Sequence, residues 1–250
     1  LQRLFREDIG MPLATYIRSR RLSRAAQALK LTNMPIIEIA DALGFCNQQT
    51  FTRIFSRHFG ISPGAYRVRK MWNFSGMIPN STMVRHPLPS PDYVSLDINL
   101  SHQHSLTNDV DFNSIEYMGN KMTKLSYLEM IMLEKSKTVY FIVHCEPVGR
   151  FGDARINMLL CDSTPADEVE NIPVTGNYLK FNLLGGHEDF KNMISTIYHY
   201  EFPQREEVRS QGPDLLEIKK INNSNGGNYF SGCYYIPVDR RQKKSPSAIS

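Results

Sequence analysis

The chain has little of what a secreted, membrane or metal-dependent protein needs. Its 250 residues hold four cysteines, Cys46, Cys145, Cys161 and Cys233, set far apart and without a C-x-x-C pair. That spacing speaks against a disulfide framework or a zinc site and fits reduced thiols in the cytoplasm. No apolar run approaches the roughly 20 residues that a membrane span requires. The start, Leu1-Gln2-Arg3-Leu4-Phe5-Arg6, has no signal-peptide core. His102-Gln103-His104 and His199-Tyr200-Glu201 lack a third partner at metal-ligand spacing, so neither metal nor cofactor is predicted. Gly185-Gly186 lacks the rest of a dinucleotide fingerprint and reads as a strand-to-helix turn.

Acidic residues are also scarce in one place. The net charge is +4, yet residues 1–72 hold 12 Lys/Arg against 4 Asp/Glu, while residues 73–250 carry a surplus of acids. An acidic polymer is the natural partner of such a basic segment, and a merely solvated charged face is the plainer alternative.

What the basic segment does contain is a repeat. At an offset of 50, Leu1-Gln2-Arg3-Leu4-Phe5 returns as Phe51-Thr52-Arg53-Ile54-Phe55, Gly10 as Gly60 and Tyr16 as Tyr66. Duplication of one supersecondary unit explains this: a basic amphipathic helix, a Gly stop and a following helix. The second copy has an upstream helix, Pro35 to Leu43, with Ile36, Ile39, Ala40 and Leu43 on one face. Gly44 ends it, and Asn47 is a good N-cap for the next helix. This is the layout of a helix-turn-helix DNA reader. The matching part of the first copy would lie before Leu1, which predicts roughly 15 or more residues upstream. A helix from Pro12 to about Leu31 would join the two readers and set their separation, so that both enter successive major grooves on one face of bent DNA.

In the helix from Asn47 to Phe59, Phe51, Ile54 and Phe55 form the apolar stripe. Gln48, Gln49, Thr52, Arg53 and Ser56 point the other way. Gln suits adenine, Arg suits guanine, and the Thr methyl suits thymine. Asn47, Thr50 and Arg57 are better placed for phosphates. In the first copy Gln2 stands for Thr52 and Arg3 for Arg53.

Composition changes after Trp72. Residues 73–91 are rich in proline and polar residues and read as a linker. Strands are expected at Asp92–Ile98, Thr138–Cys145, Tyr178–Leu183, Asp214–Ile221 and Tyr229–Val238, with helices at about 112–135 and 187–201. The expected fold is therefore an all-α helix-turn-helix domain over 1–72, its first motif incomplete, and an α+β domain with a mainly antiparallel sheet over 92–239. Residues 240–250 read as a disordered tail.

Ile36-Ile37-Glu38-Ile39-Ala40, Gly44-Phe45, Gln48-Gln49-Thr50-Phe51-Thr52-Arg53-Ile54-Phe55 and Gly60-Ile61-Ser62-Pro63-Gly64-Ala65-Tyr66-Arg67 resemble the signature of AraC/XylS-family activators. With Tyr16-Ile17-Arg18-Ser19-Arg20-Arg21-Leu22, they resemble its branch of multiple-antibiotic-resistance activators and origin-binding proteins. The resemblance implies a cytoplasmic, nucleoid-associated transcription activator that binds double-stranded promoter DNA and recruits RNA polymerase, in stress and multidrug-resistance responses. It implies no enzyme activity.

The order of Ile172-Pro173-Val174-Thr175-Gly176-Asn177-Tyr178, Gly212-Pro213-Asp214-Leu215-Leu216-Glu217 and Tyr235-Ile236-Pro237-Val238 is similar to gyrase-inhibitor-like effector domains. Such domains imply an amphipathic or cationic small-molecule inducer, held by Tyr178, Phe181, Glu217 and Tyr235. Glu217 reads either as a groove-facing carboxylate or as a solvent-facing strand residue. A ligand-sequestering or hydrolytic protein with a vestigial DNA reader is the alternative, as is a module that docks on polymerase.

Overall fold

The computed structural model describes residues 2–78, 88–111, 138–147, 153–163, 170–224 and 227–240. The basic segment forms five helices: α1 (Gln2–Ile9), α2 (Leu13–Leu31), α3 (Ile36–Ala42), α4 (Gln48–Phe59) and α5 (Pro63–Val68). Their ends are set by local chemistry. Asn47 Oδ1 accepts the Thr50 N–H at 2.8 Å and opens α4, and Ser62 Oγ does the same for Ala65 ahead of α5. Gly60 closes α4 at φ 75°, a left-handed conformation that only glycine adopts cheaply.

The repeat survives in three dimensions. Gly10 at φ 79° mirrors Gly60. The Gly10 N–H bonds to Arg6 O as Gly60 N–H bonds to Ser56 O, and Tyr16 N–H bonds to Pro12 O as Tyr66 N–H does to Ser62 O. The Phe5 and Tyr16 rings meet at 5.3 Å, and those of Phe55 and Tyr66 at 5.4 Å, both edge to face. The copies differ in their second helix: α2 runs for 19 residues where α5 runs for six.

The second half of α2 is buried on nearly all sides, through Leu22, Ser23, Ala25, Ala26, Ala28, Leu29 and Leu31. It meets α3 and α5 on one side and strand β2 (Val139–Pro147) on another. Arg24, Gln27 and Lys30, three residues apart, keep a narrow polar stripe partly open, while the small alanines let the covered sides pack closely.

The C-terminal part is a mainly antiparallel sheet with a helical segment. Its other strands are β1 (Asp92–Asp111), β3 (Asp153–Asp162), β4 (Asn171–Gly185), β5 (Glu207–Arg209), β6 (Asp214–Ser224) and β7 (Gly227–Arg240). Every pairing among the described residues is antiparallel, in the order β4-β1-β3-β2-β6-β7-β5. Because β4 also pairs with β7, six strands close on themselves and β5 extends one of them. The long β1 and β4 make this possible by changing neighbours part-way. β1 pairs with β4 through residues 92–101 and with β3 through 101–111.

Helix α6 (His187–Thr196) starts after Gly185-Gly186, where the Gly186 N–H bonds to the Asp189 carboxylate at 2.8 Å. It continues as a π turn, Ile197–Glu201, and a last turn, Phe202–Gln204. The helix expected over 187–201 thus changes its winding at Ile197, and the π turn sets Tyr198 beside Asp214.

Period-two burial divides the sheet into two faces. Phe141, Leu160, Leu179, Phe181, Leu216, Tyr234 and Ile236 lie on the face that α6 covers at β4 and α2 at β2, and join the core of the helical unit. Leu100, Ile142, Cys161, Val174, Tyr178, Leu215, Cys233 and Tyr235 form a second cluster on the other face. The unforeseen strand β3 belongs to both clusters: Met158 and Leu160 are in the first, Cys161 in the second. Arg155 and Asn157 alternate with buried Ala154, Ile156 and Met158, and the apolar run over 158–161 then masks the alternation because both faces are covered there.

Residues 73–78 differ from the expected linker. They pack between the two units, with Phe74 and Met77 buried. The helix expected at 112–135, residues 79–87 and the tail beyond Arg240 lie outside the described residues.

Candidate nucleic-acid interface

Helix α4 carries two opposed faces. Phe51 and Phe55 are buried, and their rings form a chain with Phe45, Phe59 and Tyr66 at centroid distances of 4.6–5.5 Å. That aromatic wall fixes the rotation of α4 against α3 and α5. The opposite face stays open: Gln48, Gln49, Arg53 and Arg57 are exposed, and Thr50, Thr52 and Ser56 are partly so. Gln48 and Thr52 lie one turn apart, as do Gln49 and Arg53, so one surface patch holds amide, hydroxyl and guanidinium donors.

The turn before α4 is held from outside. Gly44 lies at φ 70° and its carbonyl accepts Arg21 Nη1 at 3.3 Å. Arg67 donates to the carbonyls of Leu29 and Met34, pinning the α2–α3 corner to α5. Lys30 donates to Arg69 O and sits 5.5 Å over the Tyr66 ring; burial, aided by Arg69, pulls its amine down to about 8. These basic residues brace the reader through backbone carbonyls, Lys30 and Arg67 from partly buried positions and Arg21 from the surface. Sequence reading misses that role, for which the spacing gives no signal.

Asn47 has its acceptor engaged as the helix cap, which leaves its amide N–H groups for a phosphate. Replacing it by Ala is expected to cost about 1 kcal/mol of reader stability, as lost caps do. Urea denaturation of the full chain measures this, and an unchanged midpoint would contradict the capping role.

The first copy is more open. Gln2 and Arg3 are exposed on α1, and Arg3 Nε pairs with Glu7 at 2.9 Å. No residue described in α1 is buried, and Leu4 and Ile17 are exposed. Arg3, Leu13 and Ile17 line a groove of about 710 Å³ between α1 and α2.

The sheet places the four residues expected to hold a ligand on two different faces. Glu217 is buried at 7% exposure on the face away from α6. Tyr235 Oη donates to Glu217 Oε2 at 2.7 Å and Tyr140 Oη to Oε1 at 3.3 Å; Lys219 Nζ stands 3.6 Å away. Burial, then Glu217, pushes the Tyr140 phenol up to about 12 and raises Tyr235 as well. Tyr178 belongs to the same cluster as Tyr235. Phe181 does not: it lies fully buried in the cluster packed with α6. The alternation that puts Tyr178 on one face puts Phe181 on the other.

Tyr140 is the partner that sequence reading misses, because it reaches Glu217 only through the pairing of β2 with β6. Gly232 makes the neighbouring bulge in β6 possible, since a Cβ there would fall 1.9 Å from Glu217 O.

Residues 1–69 match the helix-turn-helix domain family. The chain is 51% identical to the F1 operon positive regulatory protein of Yersinia pestis over 241 residues, covering 95% of this chain and 77% of that protein. The chain belongs to the AraC/XylS family. It is also 37% identical to the transcriptional regulator Rob of Salmonella typhimurium over 224 residues, 86% of this chain and 78% of that one. Likeness to the multiple antibiotic resistance protein MarA of the same organism, 45% over 71 residues, covers 28% of this chain and 56% of that one. As an AraC/XylS-family member the chain is a DNA-binding transcription regulator of the activator type. Its relatives are regulators rather than enzymes.

Proposed function

We propose that the chain activates transcription by reading promoter DNA in the major groove with α4. The supporting observation is the open polar face of α4, set over a rigid aromatic wall. Gln48, Gln49, Thr52 and Arg53 contact base edges, and Asn47, Thr50 and Arg57 contact phosphates. Gln2 and Arg3 play the corresponding parts for the first copy. Helix α2, about 28 Å long at 1.5 Å per residue, spaces α1 from α4. Adjacent major grooves lie about 34 Å apart on straight DNA, so joint insertion favours a bent duplex. Once bound, the regulator recruits RNA polymerase, in keeping with the word "positive" in the name of the Yersinia pestis relative.

Fluorescence anisotropy of the full chain on duplex DNA tests the reading. Affinity is expected to fall linearly on a log–log plot with salt, by about 0.9 per phosphate contact. Salt-independent binding, or no binding at low salt, would contradict it.

Residues 92–239 act in this reading as the effector domain, with the Glu217 face as the site of a cationic, amphipathic small molecule. The carboxylate supplies charge, and Tyr140, Tyr178 and Tyr235 supply ring faces and hydroxyls. Entry of the cation has to displace the phenol hydrogen bonds and Lys219. Glu217→Gln is expected to weaken tetraphenylphosphonium binding to the full chain by about tenfold, the worth of one charge-assisted contact. Dodecyl sulfate, an anionic amphiphile, should bind the variant and the parent alike. Calorimetric titration reads both, and the absence of tetraphenylphosphonium binding to the parent would overturn the ligand reading.

A further inference from the structure

Residues Trp72 to Ile78 form a strap between reader and sheet, and its two sides are fastened differently. On the reader side, Tyr66 Oη donates to Asn73 O at 2.9 Å and His58 Nε2 lies 2.8 Å from Gly76 O. Arg20 Nη1 donates to Ile78 O at 2.7 Å, and the Ile78 N–H bonds to Ser23 Oγ at 2.9 Å. These bonds come from α2, α4 and α5 and are spread along the strap.

On the sheet side the attachments converge. The Trp72 N–H bonds to Arg209 O at 2.8 Å and bridges the strap to β5. Trp72 stacks on Phe74 at 4.5 Å, and Phe74 packs on Tyr198 and Phe202 at 5.6 and 5.1 Å. Arg209 and Tyr198 belong in turn to one buried polar cluster centred on Asp214. Arg209 Nη2 donates to Asp214 Oδ1 at 3.0 Å, and Tyr198 and Tyr234 donate their hydroxyls to Oδ2 at 2.5 and 2.6 Å. The guanidinium also bonds to Tyr198 Oη and to the carbonyls of Ser210 and Gly212. Burial works against the Arg209 charge, yet Asp214 and the phenols hold it above its usual value.

We propose that the Arg209–Asp214 pair is a latch: it holds the strap to β6, and its loosening frees Trp72 from the sheet while the strap stays with the reader. Asp214 makes this possible by accepting from Arg209 and Tyr198, two of the three residues that the strap rests on, the third being Phe202. Removing one partner of a buried charged pair leaves the other uncompensated, so the cluster opens as a unit. The latch is independent of the ligand reading. Where that reading holds, Glu217 sits three residues along the same strand on the opposite face, and β6 carries both groups.

Trp72 is the single tryptophan of the chain, so its fluorescence reports the latch directly. In the full chain, Asp214→Asn is expected to raise acrylamide quenching of Trp72 at least about twofold by local opening, with far-UV circular dichroism unchanged. Tyr198→Phe keeps the ring on Phe74 but removes its hydroxyl, and should move quenching the same way by a smaller factor. It also carries the test should Asp214→Asn fail to fold. Unchanged quenching in the folded variants would overturn the latch, as would quenching that rises only in step with loss of helix signal.

Discussion

Phe55→Ala is expected to cost about 3–5 kcal/mol, the range for emptying a fully buried aromatic site. Phe55 is 0% exposed and touches the rings of Phe51, Phe59 and Tyr66. No neighbour can move into the space without giving up its own packing, since Phe51 and Tyr66 are buried too. A domain's whole stability is typically about 5–15 kcal/mol, so the reader should be close to unfolding at rest. Urea denaturation followed by helical circular dichroism measures the loss, and DNA binding should fall with the folded fraction. Phe5, the matching residue of the first copy, is half-buried against Tyr16. Its replacement by Ala should cost about 1 kcal/mol on area grounds. Equal costs at the two positions would contradict the asymmetry between the copies.

Arg53→Ala carries the second large effect, on recognition rather than folding. The side chain is exposed at the middle of α4, and the helix beneath it is held by Phe51 and Phe55. Truncation should therefore leave stability unchanged. Loss of a bidentate base contact is expected to weaken binding to the preferred duplex by about 1–3 kcal/mol, and to relax preference at one base pair. Arg57 lies one turn further along the exposed side. Arg57→Ala should weaken all duplexes alike and flatten the salt dependence by about one phosphate contact. Anisotropy titrations of both variants on preferred and scrambled duplexes separate the roles. Equal losses for Arg53→Ala on the two duplexes would remove it from base readout.

The reader is legible in the sequence because its information is local. The offset of 50 residues names the Gly stops and the Phe–Tyr contacts, and all of them recur in space. Strand positions in the sheet are legible in part, through period-two alternation. What connects them is not. Phe74 lies in a polar, proline-rich stretch that reads as linker, while its partners Tyr198 and Phe202 stand more than 120 residues away. Tyr140 reaches Glu217 only through strand register, which no local window contains. Aromatic character groups Phe181 with Tyr178, although the alternation of the strand separates them. Local periodicity thus specifies elements, whereas a site assembled across strands depends on pairings made at long range.

Reading of base sequence by α4 is the central claim. Duplexes should be selected from a random pool by the full chain, then competed against scrambled duplex at physiological salt. The expected preference is at least about 100-fold, the worth of two or three correctly read base pairs. It should shrink in Arg53→Ala while binding to scrambled duplex holds. A preference near one for the parent chain, or one that Arg53→Ala leaves intact, would contradict that claim.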